Sequence, residues 1–337
     1  EIRATKGFTS SGTAIEQIIV TYASYDELTK TVSGFIEAKV ITNNNVDSQS
    51  NVGESVIVTY AEAPAIQDPG VAIVLSGDPA TRQTIITSSF DIRGNSLDQR
   101  ITKDAHTGGA FACAEVQHIV TSGYDIHDRA STSTITNYKP SDGATVIDTQ
   151  VINYLEYDRY GNALSQTILT TASDNKETFK TIINTYDPDN KRAQMKGTAQ
   201  ISETIKYSGS SAIAINLIER TVTTTDIYDD RGNAVDQTTD TYVQNTLQKE
   251  TRTHNEGIDA RGDARIQYIT TSETDKDGAN LEVTGYQVIE NRSFDLSHNA
   301  TNQRIITYTD ATAGEVKDVQ EIRATKGFTS SGTAIEQ

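Results

Sequence analysis

Two short loops gather oxygen donors at spacings that could hold a cation: Asp187-Pro188-Asp189-Asn190 and Asp275-Lys276-Asp277-Gly278-Ala279-Asn280. Calcium takes about six to eight oxygens. Each loop offers only part of that set, so a solvated turn is the better reading and no metal site is assigned. Arg261-Gly262-Asp263 spells the integrin-recognition tripeptide. Yet Arg93-Gly94-Asn95 and Arg231-Gly232-Asn233 hold the same place in kindred stretches, so a turn accounts for it. The five histidines, His106, His118, His127, His254 and His298, lack the paired spacing of a metal site. The chain has no Gly-rich phosphate loop, no G-x-S-x-G elbow and no Cys/His nucleophile pair. Asn291-Arg292-Ser293 and Asn299-Ala300-Thr301 are formal N-glycosylation acceptors, meaningful only in a secreted protein. Carboxylates recur once per unit, as turn residues do, whereas an active site is singular. The sequence therefore predicts no catalytic residue, no cofactor and a protein that is not an enzyme.

The recurring unit is clearest at Phe90-Asp91-Ile92-Arg93-Gly94-Asn95-Ser96-Leu97-Asp98-Gln99. Tyr157 is followed at the same offsets by Asp158, Gly161, Asn162, Ala163, Leu164 and Gln166, and Tyr228 by Asp229, Gly232, Asn233, Ala234, Val235 and Gln237. Ile258 leads Asp259, Gly262, Asp263, Ala264 and Gln267. Phe294 leads His298, Asn299, Ala300 and Gln303, and Phe8 leads Gly12, Ala14, Ile15 and Gln17. Worn copies begin at Tyr124 and Tyr186. This is an internal repeat, and it sets the architecture.

The unit has the chemistry of a β-turn between two strands. Asp91, Asp158, Asp229 and Asp259 stand first in the turn, where a carboxylate bonds the backbone ahead of it. Gly94, Gly161, Gly232 and Gly262 stand fourth, where positive φ is expected. Where Gly is lost, Asp128, Asn190 and His298 replace it, and Asn, Asp and His are the residues that best tolerate the left-handed region.

Period-2 strand patterns run between turn clusters along the whole chain, with strands such as Val116–Ser122, Val146–Glu156, Leu164–Thr171, Phe179–Thr185, Ile218–Ile227 and Arg304–Thr309. One set of turns falls near 8–12, 43–53, 91–95, 125–128, 158–162, 187–190, 229–233, 259–263 and 295–299. The other falls near 26–30, 64–70, 104–109, 139–143, 172–177, 207–211, 243–248, 272–280 and 310–315. The expected fold is all-β: nine hairpins, or 18 strands, per 320 residues, in one continuous spiralling antiparallel sheet or tube. Alternation puts Leu97, Gln99 and Ile101 on one face, as it does Leu164, Gln166 and Ile168. Gln17, Gln99, Gln166, Gln237, Gln267 and Gln303 could thus form a row of amides bonding across the sheet, or could occupy solvated positions. An unpaired buried amide costs about 1–3 kcal/mol, which favours a row over an isolated member.

Composition agrees with a thin sheet rather than a large core. Hydrophobic residues make up 35% of the 337, with no Trp and one Met. A net charge of −17 opposes nucleic acid and anionic membrane surfaces as partners. Cys113 is the only cysteine, so there is no disulfide framework. No run of residues reaches the ~18 apolar positions of a membrane helix, and no membrane insertion is expected.

A second repeat is longer. Residues 1–17, EIRATKGFTSSGTAIEQ, recur identically as residues 321–337. Drift among the diverged short units cannot yield such identity. The expectation is one super-repeat over residues 1–320, with the next beginning at 321, within a longer tandem chain.

The Tyr-Asp-x-x-Gly-Asn units at Tyr157 and Tyr228 resemble the YD repeats of the rearrangement-hotspot and teneurin-like families. That resemblance implies β-hairpins running on as one long sheet that spirals into a hollow shell. The functional expectation is a structural protein of an extracellular filament, tube or stalk at the cell surface, whose partners are further copies of its own super-repeat. An adhesin stalk with its binding tip elsewhere, or a shell around a cargo, are the alternatives. At ~4.8 Å per strand, 18 strands would give a ribbon arc on the order of 86 Å.

Overall fold

The computed structural model describes residues 2–26, 28–29, 31–64, 73–107, 109–275, 280–295, 298–310, 312–324, 334 and 337. Nineteen strands form one sheet. They begin with β1 (Ile2–Ala4), β2 (Glu16–Asp26), β3 (Thr31–Val46), β4 (Val52–Tyr60), β5 (Pro79–Phe90), β6 (Ser96–Thr107) and β7 (Ala110–Ser122). Next come β8 (Thr132–Tyr138), β9 (Val146–Tyr157), β10 (Ala163–Ala172), β11 (Glu177–Thr185), β12 (Ile201–Ser208) and β13 (Leu217–Tyr228). The last are β14 (Ala234–Val243), β15 (Thr246–Glu256), β16 (Ile266–Thr274), β17 (Leu281–Phe294), β18 (Ala300–Tyr308) and β19 (Val316–Arg323). Each strand pairs antiparallel with the strands before and after it in sequence, from β1–β2 through β9–β10 to β18–β19. The fold is therefore one open all-β meander, a tandem array of hairpins.

Cross-strand partners share a face, which sorts the side chains into two sets. One face carries the row Ile57–Ile41–Gln17 and the row Ile85–Ile101–Gln117–Asn137. The other carries Val58–Arg82–Asp104 and Asp236–His254–Tyr268. Both faces mix apolar and charged groups: Lys39, Lys103 and Glu115 fall on the first, and Ile18, Val20 and Val40 on the second. A single layer cannot bury both. Buried apolar side chains among the described residues are accordingly few, namely Ile18, Val20, Ala38, Ile73, Val116 and Ala193. Among the described residues one core cluster occurs, where Ile73 and Leu75, from the segment between β4 and β5, cover Ile18, Val20, Ala38 and Tyr60.

The expected strands correspond to longer observed ones, β7 beginning at Ala110 rather than Val116 and β18 at Ala300 rather than Arg304. Two features depart from expectation. Asn190 has φ −101 and does not take a left-handed conformation. Instead its Oδ1 accepts from Ala193 N–H and starts a short helix, α1 (Lys191–Lys196), which Gly197 ends at φ 75. The helix-forming run Lys191-Arg192-Ala193-Gln194-Met195-Lys196 is too short for its period to register against the strand pattern. The second departure is a repeated register shift. Ser88, Leu155, Asp226 and Arg292, each two residues before the turn aromatic, are passed over in strand pairing. Such bulges bend the strand and increase its twist. No helix among the described residues is long and apolar enough to cross a membrane. The expected turns at 26–30, 64–70, 104–109, 272–280, 295–299 and 310–315, and the second copy of the first turn that the repeat places at Phe328–Gly332, lie wholly or partly outside the described residues.

Candidate functional site

The repeated polar residues meet along one edge of the sheet. In the turn from Asp91 to Asn95, Gly94 N–H donates to the Asp91 carbonyl (3.1 Å) and Asp91 N–H to the Asn95 carbonyl (2.9 Å). The Asp91 carboxylate then accepts from Arg93 N–H and Asn95 N–H on one oxygen (2.8 and 2.9 Å), and from the Asn95 side-chain amide on the other (3.0 Å). Asp158 with Asn162 and Asp229 with Asn233 repeat this pattern. Asp295 likewise accepts from the Asn299 N–H and side-chain amide (both 2.9 Å). Asp259 keeps the backbone bonds, with Asp263 in place of the Asn. Gly94, Gly161, Gly232 and Gly262 have φ of 88, 89, 81 and 102, and Asp128 and His298 of 59 and 67. Only a residue without Cβ enters this region at little cost.

The turn expected near 43–53 proves to be a further copy of the plan, which the sequence did not mark. Asp47 and Asn51 make the full set of bonds, with Ser50 at φ 72 where Gly stands elsewhere and Val46 where the aromatic stands. In the first turn Thr9 supplies a hydroxyl in place of the carboxylate, accepting from Thr13 N–H (3.1 Å).

Successive turns are bonded to one another, which the sequence did not reveal. Ser50 Oγ donates to the Ser11 carbonyl (2.9 Å). A Cβ on Gly94 would meet Asn51 Oδ1 at 2.7 Å, so these neighbours also touch. Asn95 Nδ2 donates to Asp128 (2.8 Å), and Arg129 Nη1 to the Asp158 carbonyl (2.9 Å). Asn162 Nδ2 donates to the Gln194 carbonyl of α1 (2.7 Å), and Arg192 of α1 bonds the Asp230 carbonyl. Arg231 Nη2 reaches the Ile258 carbonyl (2.5 Å), and Arg261 Nη2 the Asp295 carbonyl (2.7 Å). From Ser11 to His298 the turns form one stacked spine. Tyrosines add rungs: Tyr124 donates to the Ser96 carbonyl (2.7 Å) and Tyr157 to that of Ala130 (2.6 Å), each reaching back to the preceding turn.

The glutamines fall beside this spine on the first face. Gln99 and Gln237 donate to Thr87 and Thr225 across the hairpin (both 3.2 Å). Gln267 donates to Asn255 Oδ1 (2.9 Å) and Gln303 to Asn291 Oδ1 (2.8 Å). Asn291 Nδ2 lies 3.5 Å from Gln267 Oε1, so amides run unbroken across β15 to β18. Directly opposite Gln17 and Gln166 stand Ile41 and Tyr154 instead of an amide or a threonine. The residues that complete the pattern are asparagines missed in the sequence: Asn43, Asn184, Asn255 and Asn291. Each donates to the carbonyl of the Ala two residues after a turn glycine, namely Ala14, Ala163, Ala234 and Ala264 (2.8–3.1 Å).

Electrostatics follow these bonds. The Asn95 side-chain amide holds the Asp91 carboxyl below its usual range against partial desolvation, and Asn51 does the same for Asp47. Arg129 brings Asp125 down to about 2. The Asp236 carboxylate raises His254, 2.5 Å away. Asp263 is 6% exposed and accepts from His298 Nδ1 (2.8 Å), so the Arg-Gly-Asp tripeptide does not present its carboxylate. Around it an open cavity of about 450 Å³ is walled by Asn255, Asp263, Gln267, Asn291 and Phe294, where spine and amide row meet. The loop from Asp187 uses its oxygens on Asp189 N–H, Gln194 and the helix cap. No cluster of metal-ligating side chains occurs among the described residues.

Fold and turns together define a tandem β-hairpin repeat protein. No protein family matches the chain, and no curated protein does. Among solved structures it is similar to the crystal structure of TcdB2-TccC3-TEV, at 10% identity and a TM-score of 0.28, over 99% of this chain and 20% of that one. It is also similar to the crystal structure of TcdB2-TccC3, at 12% identity and a TM-score of 0.20, over 92% of this chain and 19% of that one. The chain therefore spans about a fifth of the length of these structures.

Proposed function

We propose that this chain is a block of a structural array, whose work is to extend a sheet in an extracellular filament, tube or stalk, and that it catalyses no reaction. The observation that carries this is the identity of residues 1–17 with 321–337, combined with a sheet whose strand order is the sequence order. A meander of this kind has no built-in stop, so each super-repeat of 320 residues adds strands without changing the pairing rule. The polar residues support the same reading, because they are spent on turn and inter-turn bonds. The acidic charge would keep neighbouring arrays apart. A shell around a cargo is the second reading, favoured by the YD-type turns.

Negative-stain microscopy of native material tests the proposal. Fibres or stalks whose length grows in equal steps with the number of super-repeats are expected. Closed hollow particles would replace the filament with the shell, and compact solid particles would overturn both.

A further inference from the structure

We infer that the outer edge of β19 takes strand β2 of a second copy of this chain, in the register that β1 holds on its own β2. The inference rests on the array reading and specifies its junction. β1 pairs Ile2 with Ile19, Arg3 with Ile18 and Ala4 with Gln17. Residues 321–324 repeat residues 1–4, and β19 pairs Ile322 with Gln303 and Arg323 with Asn302. The same short sequence is thus seen once beside the strand that follows it and once beside the strand that precedes it.

The backbone groups used in the two places are complementary. Thr5 N–H donates to the Glu16 carbonyl, so Arg3 and Thr5 turn their peptide groups toward β2. Ala324 N–H, equivalent to that of Ala4, donates to the Thr301 carbonyl, so Ala324 and Ile322 turn theirs toward β18. Arg323 and Glu321 therefore present their N–H and C=O groups outward, and no strand pairs with that side among the described residues. These are the groups that Arg3 uses on β2. A single strand can serve both neighbours with no shift of register.

Extent favours the exchange. β1 covers β2 with three residues, whereas β19 has eight, and its Val316 and Val319 are half exposed. Laid on β2 of a second copy, β19 would continue past Ile322 and Glu321 alongside the part of β2 beyond Ile19. Edges of this kind template strand addition. The contact joins different surfaces of the two copies, so it propagates rather than closing a two-fold dimer.

Disulfide trapping reads the register. Because Thr5 and Glu16 are a hydrogen-bonded pair, Ile2 and Ile19 are a non-bonded pair, whose closer side chains suit a disulfide. In a Cys113→Ser background, Ile19→Cys with Ile322→Cys should give a ladder of dimers, trimers and longer species on oxidation. Ile19→Cys with Arg323→Cys, whose side chains fall on opposite faces, should not. Ile2→Cys with Ile19→Cys should cross-link within the monomer and so verify the reference pairing. Arg323→Pro removes an outward N–H and leaves the bonds to β18, so self-association measured by sedimentation should weaken about tenfold. Absence of the 19–322 product while the 2–19 product forms would overturn the junction and leave the array reading standing. A 19–322 product confined to the monomer would mean a closed ring, and would overturn both.

Discussion

The two edges of this sheet connect the same strands by different means. On one edge the turns at 47–51, 91–95, 125–129, 158–162, 229–233 and 295–299 are built on one plan, an Asp carboxylate at the first position and a left-handed residue at the fourth. On the other edge the described connections differ in length and conformation, although Asp26, Asp142, Asp174 and Asp310 there also accept a backbone N–H from two residues ahead. Gln244 and Asn245 form a two-residue loop with φ of 50 and 63, Asp142 ties a longer loop, and Ala214–Asn216 make a single 3-10 turn. The difference lies less in the bonds within each turn than in those between turns. Along the first edge Ser, Asn and Arg side chains bond one turn to the next, except that 47–51 and 91–95 only touch. The described part of the second edge shows fewer links, such as Ser173 N–H to the Ile147 carbonyl and Gly209 N–H to the Glu177 carbonyl. Repetition has been kept where turns stack and lost where they do not. A turn that must fit its neighbours has few acceptable sequences, while a free loop has many.

The largest effect is expected from a substitution that breaks stacking. At Gly232 an added Cβ would lie 2.6 Å from Ala193 N and from the Arg192 carbonyl carbon, on top of the cost of positive φ. Gly232→Ala should destabilise by about 2–4 kcal/mol in chemical denaturation. Gly161 has the same φ class and open space around it, so Gly161→Ala should cost only about 1 kcal/mol. Equal losses at both would mean that the turns do not press on one another.

Next comes the amide row. Asn291 is 5% exposed and joins Gln303, Gln267 and the Ala264 carbonyl. Asn291→Ala strands partners on both sides and should cost about 1–3 kcal/mol, while Gln166→Ala, with no amide opposite, should cost less.

Acid should act on both edges, with a sign set by the depressed carboxyls. Asp125 and Asp142 are each brought to about 2, Asp125 by Arg129 and Asp142 by the Thr145 hydroxyl. Their contributions are present above the ordinary carboxyl range near pH 4 and are lost as pH falls toward about 2. Asp125→Asn and Asp142→Asn should each flatten the acid limb of stability against pH. Only Asp125→Asn should also loosen a neighbour, seen as faster amide exchange at Asp158 to Asn162. His254 works oppositely, since its raised pKa gives stability present below its unfolded value that disappears as pH rises through the folded one.

The smallest effect should be a gain. Gln244→Asn with Asn245→Gly puts the residues best suited to paired positive φ in the free loop, and should raise stability by a few tenths to about 1 kcal/mol. The same exchange has no counterpart on the stacked edge, where the side chains are in use.

Much of this was legible in the sequence, for reasons that particular residues make plain. Strands show through period-2 alternation, and Gly94, Gly161, Gly232 and Gly262 show through their fixed distance from an aromatic residue and an Asp. The turn near 43–53 showed as a turn but not as a copy of the unit, because Ser50 and Val46 replace the two residues that mark the others. Asn43, Asn184, Asn255 and Asn291 were missed because each lies on the second strand after its partner turn, 21–29 residues from the Ala it holds. Such a spacing varies with loop length on the other edge, so no fixed period reports it. The helix Lys191–Lys196 is invisible to periodicity at six residues, although Asn190 and Gly197 are recognisable caps once it is seen. The inter-turn bonds of Arg129, Arg231 and Arg261 depend on stacking, which is a property of the sheet rather than of any one unit.

Hydrogen exchange across the two edges tests the stacked spine most directly. The amides of Gly94, Asn95, Gly161, Asn162, Gly232 and Asn233 should exchange with the slow strands beside them, because opening one turn breaks its bonds to the next. The tip amides of Gln244 and Asn245 should exchange orders of magnitude faster. Equal, fast exchange at the tips of both edges would contradict the account, leaving the repeated Asp and Gly as features of isolated hairpins.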